Sequence, residues 1–258
     1  MKTPMLSIRD LVIRFGGLVA LNNFTMEVAP GSVHALIGPN GAGKSTAFNA
    51  VSRFYAPAAG DILFEGRSLL RSAPHELARL GIARTFQNIE LCTQLTVLEN
   101  VLIGMMARIP RYFPFSPGFS RRAIERGAIR DAERVLDEGE LLDYRDVPAG
   151  ELDFGHQKKL DLLRAIACRP RLLLLDEPAA GLRNREIATL DRTILDLVRG
   201  RGVTILLVEH VMQLVMSVAD TITVLSQGEK IAEGTPVAVR NDPLVVEAYL
   251  GRNAGATG

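Results

Sequence analysis

Eight consecutive residues, Gly38-Pro39-Asn40-Gly41-Ala42-Gly43-Lys44-Ser45, fit the phosphate-binding pattern G-x-x-x-x-G-K-[S/T] at every fixed position. Glycines in such a turn let the backbone curl so that its N–H groups point inward. A helix beginning at Ser45 adds the partial positive charge of its N-terminus. Lys44 would reach the β- and γ-phosphates, and the Ser45 hydroxyl would hold Mg²⁺. An ordinary glycine-rich turn needs neither the lysine nor the hydroxyl at this spacing. The loop therefore points to a nucleoside triphosphate, and by itself it does not say what the energy is used for.

A second motif follows later in the chain. Leu172-Leu173-Leu174-Leu175-Asp176-Glu177-Pro178 is an apolar run that ends in two acids. As a strand it places Asp176 at its C-terminal edge, next to the phosphate loop, where it can bind Mg²⁺ through water. Glu177 is then available to polarise an attacking water. Mg²⁺ and positioned charges supply most of the catalysis in phosphoryl transfer.

The elements that must hold these residues read as an alternation of strands and helices. Strands are expected at Leu6–Phe15, Phe24–Val28, Ser32–Ile37, Asp61–Gly66, Ile82–Phe86, Leu172–Leu175, Val203–Val208 and Thr221–Leu225. Helices with apolar residues three and four apart fall between them, as in Glu186–Val198. This rhythm predicts an α/β core with a largely parallel sheet and right-handed crossovers. The stretch from about Asn88 to Ala165 breaks it, with helical patterns at Val97–Ala107, Arg121–Leu141 and His156–Ala167. Within it, Arg108–Phe119 holds three prolines and four aromatic residues. That composition reads as a loop that packs either on its own subdomain or on a partner.

Composition narrows the classes. The chain has 258 residues, 47% hydrophobic, with a net charge of +1. That is enough apolar material for one core, and there is no bulk electrostatic case for nucleic acid or an anionic membrane. Cys92 and Cys168 match no metal spacing and read as packing residues. The N-terminus lacks the apolar core of a signal peptide. No apolar run approaches the ~20 residues that span a bilayer, so a membrane role would come through a partner.

Between the two motifs lies Glu151-Leu152-Asp153-Phe154-Gly155-His156-Gln157-Lys158-Lys159-Leu160. Here the chain resembles the ATP-binding subunits of ABC transporters. Leu152, Phe154, Gly155 and Gln157 match that family's signature, of the form L-S-G-G-Q or L-S-Y-G-Q-Q. Phe15 resembles the aromatic that stacks on adenine. Gln87, in Arg84-Thr85-Phe86-Gln87-Asn88, resembles the glutamine that links Mg²⁺ to the transporter contact. His210 resembles the histidine that contacts the γ-phosphate. Each of these would read as structural if met alone, and gains its role from matching order.

The resemblance implies a P-loop ATPase of ABC type: a mixed, largely parallel sheet core, an antiparallel β subdomain and an inserted α-helical subdomain. It implies one domain over 1–251, with core 1–87 and 166–237, helical subdomain 88–165, a C-terminal helix 238–251 and a disordered tail 252–258. The implied nucleotide contacts are Phe15, Gly38 to Ser45, Thr46 and Gln87, with Leu152, Asp153, Phe154, Gly155 and Gln157 acting on a partner's ATP. Ser45, Gln87 and Asp176 would hold Mg²⁺, and Glu177 and His210 would be catalytic. The implied partners are a second ATPase subunit, two permease subunits and an extracytoplasmic binding protein, with no nucleic acid. The chain would sit at the cytoplasmic face of the membrane. Phe15-Gly16-Gly17, Gly81–Asn88, Leu95–Val101, Ala179–Leu182 and Glu247–Gly251 are similar to the branch that imports branched-chain and other hydrophobic amino acids. Relatives of that branch import urea or short amides, or serve lipopolysaccharide export. A soluble ABC protein of translation or repair would carry two cassettes or long coiled coils, and this chain has neither. A low-turnover nucleotide-binding regulator stays open because of Asp153.

Three departures stand out. Asp153 replaces the signature serine, which donates to a γ-phosphate held by the opposite subunit. An ionised carboxylate there faces like charge, unless it is protonated, turned away or met by a cation. Two readings remain: Asp153 weakens the site built on the partner's loop, or it is tolerated. Arg183 stands where Asp or Asn is usual, and Val211 where an acid is common.

Overall fold

The computed structural model describes residues 3–108 and 121–250. The proline and aromatic segment from 109 to 119 and the tail after Leu250 lie outside the described residues. The chain divides into two compact units: Met1–Leu77 with Leu174–Gly258, and Ala78–Leu173.

Strands β1 (Leu6–Phe15) and β2 (Leu18–Val28) form a hairpin closed by Gly16 and Gly17. β2 starts earlier than its apolar run suggested, because Leu18 and Val19 pair with Phe15 and Arg14 while staying exposed. The pairing, not the hydrophobic pattern, extends the strand. Next come β3 (Val33–Ile37), helix α1 (Lys44–Val51), β4 (Ala59–Phe64) and the short β5 (Arg67–Ser68). An antiparallel sheet in the order β2-β1-β4-β5 buries Leu6, Ile8, Phe24, Met26 and Ile62.

The second unit is mainly helical. It contains most of α2 (Leu77–Leu80), then β6 (Ile82–Arg84), α3 (Val97–Met105), α4 (Arg121–Glu138) and α5 (Phe154–Ala167). Thr96 caps α3 by accepting from the Glu99 N–H, and the Glu99 carboxylate accepts from the Thr96 N–H in return. α5 begins two residues before the expected His156, because Asp153 is its cap.

The chain then runs through β7 (Leu172–Asp176), α6 (Asn184–Arg201), β8 (Thr204–Val208), α7 (Met212–Val218), β9 (Thr221–Ser226) and β10 (Glu229–Gly234). β3 lies between β8 and β9 and runs parallel to both. β7 flanks β8, and β10 returns antiparallel to β9. β3, β7 and β8 are buried along their whole lengths, which is why they read as unbroken apolar runs. The last described residues form two helices, α8 (Pro236–Arg240) and α9 (Pro243–Leu250), where one over 238–251 was expected. Pro243 has no N–H to continue the first helix, and Asp242 accepts from the Leu244 N–H to start the second. Among the described residues no helix is long and apolar enough to cross a membrane.

Candidate nucleotide site

The phosphate loop joins the end of β3 to α1. Gly38 has φ 152°, and a Cβ there would lie 2.1 Å from the Leu225 carbonyl oxygen. Gly43 has φ 106°, and its Cβ would meet the Ala20 carbonyl at 2.8 Å. Only glycine fits at these two places. The Gly228 N–H donates to the Ala42 carbonyl (2.9 Å), so the β9–β10 turn braces the loop from outside. No side chain caps the N-terminus of α1, and its first turn has no acid. The end that would face phosphate thus carries no competing carboxylate. Lys44 is buried along the loop and donates to the carbonyls of Gly38 (2.7 Å) and Pro39 (3.0 Å).

Register brings the acidic strand to the same level. Leu36 at the end of β3 pairs with Val208 at the end of β8. The Val208 carbonyl accepts from the Glu177 N–H at 2.8 Å. The phosphate loop, Glu177 and His210 therefore leave the same edge of one sheet, at the C-terminal ends of adjacent strands, where α/β folds place ligands. Asp176 is buried at the end of β7, and Glu177 stands in the left-handed region at φ 47°. Such a backbone is costly for a non-glycine residue and clusters at functional sites. The His210 Nδ1 lies 3.7 Å from a Glu177 carboxylate oxygen. Phe15 ends β1 half-exposed, with the Tyr55 ring edge-on at 5.0 Å. Tyr55 carries no motif and was not legible as a site residue.

Gln87 and the signature lie in the second unit. Gln87 is exposed, and its carbonyl accepts from Lys158 Nζ at 3.1 Å. Leu152 is buried and Phe154 is exposed. Gln157 Nε2 donates to the Leu152 and Ala149 carbonyls at 3.0 and 3.3 Å, which fixes the turn into α5. Asp153 accepts from the His156 N–H (2.9 Å) and from His156 Nδ1 (2.7 Å). These bonds, the backbone one first, hold the Asp153 carboxyl below the usual carboxylate range. Asp153 is therefore ionised, and its carboxylate is hydrogen-bonded within its own turn to the backbone and ring of His156. His156, whose ring lies 5.0 Å from that of Tyr144, is a residue that motif matching passed over.

The family profile described as ABC transporter matches residues 21–180. The chain belongs to the ABC transporter family. A second profile, described as branched-chain amino acid ATP-binding cassette transporter, matches residues 229–255. The chain is 41% identical over 97% of its length to the high-affinity branched-chain amino acid transport ATP-binding protein BraF of Pseudomonas aeruginosa, covering 99% of that protein. It is also 41% identical to LivG of Escherichia coli, again over 97% of this chain and 99% of the relative. Among solved structures, an ATP-binding cassette of an ABC transporter in its ADP conformation shares 32% identity with a TM-score of 0.82, covering 96% of this chain and 99% of that one.

Mg²⁺ takes oxygen ligands and keeps several waters. The buried carboxylate of Asp176, at the strand end level with the phosphate loop, and the hydroxyl of Ser45 offer oxygen atoms of that kind. Among the described residues no group of three acids, histidines or cysteines could hold a metal alone. That donor set suits an ion whose remaining ligands are phosphate and water.

Proposed function

We propose that this chain hydrolyses ATP to drive a membrane importer for branched-chain or other hydrophobic amino acids. The observation that carries this reading is 41% identity over 97% of the chain with branched-chain transport ATP-binding proteins, together with the branched-chain profile on residues 229–255. The site supports it. Gly38 to Ser45 and the Thr46 N–H would cradle the phosphates while Lys44 reaches the β- and γ-oxygens. Ser45, Gln87 and Asp176 would hold Mg²⁺, which when bound neutralises developing phosphate charge. Glu177 would orient and polarise the attacking water, His210 would contact the γ-phosphate, and Phe15 would stack on the base.

Leu152 to Gln157 would cover the ATP bound by a second cassette. Asp153 then places an ionised carboxylate against that cassette's γ-phosphate, partly offset by His156. We read the pair of sites as unequal: the Lys44 site is competent if a different subunit supplies a serine signature, and the opposite site is weak. The two cassettes would work on the cytoplasmic side of two permease subunits fed by an extracytoplasmic binding protein.

The test is uptake of radiolabelled leucine by membranes carrying the assembled transporter. Uptake that depends on ATP and stops with Glu177→Gln supports the reading. Leucine-independent turnover together with uptake of urea or short amides would replace the substrate. Failure to copurify with any membrane subunit would sink the motor role altogether.

A further inference from the structure

Glu209 is fully buried, carries no motif and has no role in the hydrolysis described above. Its two carboxylate oxygens serve different loops. Oε2 accepts from the Ala179 N–H (3.1 Å), in the turn that follows Glu177 and Pro178. Oε1 accepts from the N–H groups of His210 (3.0 Å) and Val211 (3.1 Å), in the turn after β8. The same Oε1 lies 3.6 Å from His210 Nδ1.

A carboxylate taken wholly out of water is costly unless its lone pairs are filled, and here three backbone donors fill them. The burial thus has a consequence that an exposed acid would lack: the two turns are tied through one rigid planar group. On one side of that tie is Glu177, strained at φ 47°. On the other is His210, with its Nδ1 3.7 Å from the Glu177 carboxylate. A hydrogen bond from the Glu177 N–H to the Val208 carbonyl links the strand ends directly. Glu209 fixes what lies beyond them.

We propose that Glu209 is a positioning residue that holds Glu177 and His210 in one geometry for hydrolysis. This rests on the reading that the chain hydrolyses ATP through those two side chains. The substitution Glu209→Gln tests it with almost no change of volume. A glutamine side chain has one acceptor oxygen and an NH₂ group, so it can serve one turn but must set donor against donor at the other. The turns then part while the phosphate loop is untouched.

The experiment is steady-state ATP hydrolysis by the full chain in its assembled transporter, for wild type, Glu209→Gln and Glu209→Asp, with Glu177→Gln as control. The expected result is a fall in kcat of roughly 10²-fold for Glu209→Gln with KM for ATP unchanged, the loss typical of a misplaced reacting group. Glu209→Asp keeps two acceptors and should recover part of the rate. Amide exchange on the full chain gives a second readout independent of turnover: the N–H groups of Ala179 and Val211 should be protected in wild type, and at least one should exchange faster in Glu209→Gln. Wild-type kcat in Glu209→Gln would overturn the inference and leave the proposed function standing. A parallel loss of nucleotide binding and thermal stability would reduce Glu209 to a general fold support and overturn it as well. A wild-type chain that hydrolyses nothing would overturn both readings.

Discussion

Glu177 and Asp153 are both acids, and their surroundings give them opposite meanings. Glu177 sits on a strained backbone at the end of a buried strand, partly shielded, with His210 beside it. Glu177→Gln removes the charge that polarises water and leaves the phosphate loop intact. Turnover should fall by roughly 10²–10⁴-fold, the range for losing a general base, with ATP affinity retained. Single-turnover hydrolysis alongside binding of a fluorescent ATP analogue measures both. Asp153 is exposed and locked ionised by His156. Asp153→Ser keeps an oxygen to cap α5 and removes the like charge. The prediction is that the complex carrying Glu177→Gln, nearly inactive by itself, regains substantial hydrolysis when Asp153→Ser is added, because the partner's site has become competent. No rescue in the double variant would count against unequal sites.

The residues proposed to act on phosphate, Mg²⁺ and water, Lys44, Ser45, Asp176 and Glu177, were legible because their chemical type and spacing carry the role. Glu209 and His156 were not. Glu209 acts through backbone N–H groups, one of them thirty positions away, and no residue pattern encodes an amide. It shares one trace with Asp176, an acid at the end of a wholly buried strand.

At the scale of elements, α5 organises the second unit. Lys158 donates to the Gln87 carbonyl and Arg164 to the Glu90 carbonyl, so one helix holds the Gln87 loop at two points. Arg164 also pairs with Asp161 at 2.6 Å; burial raises the Asp161 carboxyl and Arg164 opposes the rise. α3 crosses close to α5 at Gly104, where an added Cβ would lie 2.2 Å from the Arg164 carbonyl oxygen. Backbone cannot yield as a flexible side chain does, so Gly104→Ala should force the helices apart. The expected cost is about 1–3 kcal/mol, read from chemical denaturation, and the Gln87 loop should loosen with it. The helices of this unit were legible from their periodicity, whereas this close approach was not. A glycine inside a helix reads only as a weak helix former until its neighbour is known.

At the scale of the whole molecule, the strand that delivers the phosphate loop also contains a titrating group. His34 is buried in β3, and its Nε2 lies 2.8 Å from the Thr223 hydroxyl. That hydroxyl donates to the Glu233 carboxylate at 2.9 Å, so Nε2 carries the proton and donates to Thr223. Burial, opposed by Glu233 and aided by Lys230, lowers the His34 pKa from 6.5 to about 4. The direction of the pH effect follows from this depression. Above 6.5 the ring is neutral folded and unfolded, and stability does not depend on it. As pH falls from 6.5 toward 4, the unfolded chain takes up a proton that the folded chain refuses, so stability drops, by about 3 kcal/mol once both states are protonated. Acidic side chains with shifted pKa values also contribute over this range, and a variant separates them. His34→Gln can still donate to Thr223 and does not titrate. Urea unfolding at pH 7 and at pH 4.5 should therefore show a larger loss for wild type than for His34→Gln. Equal losses would place the acid sensitivity elsewhere in the fold.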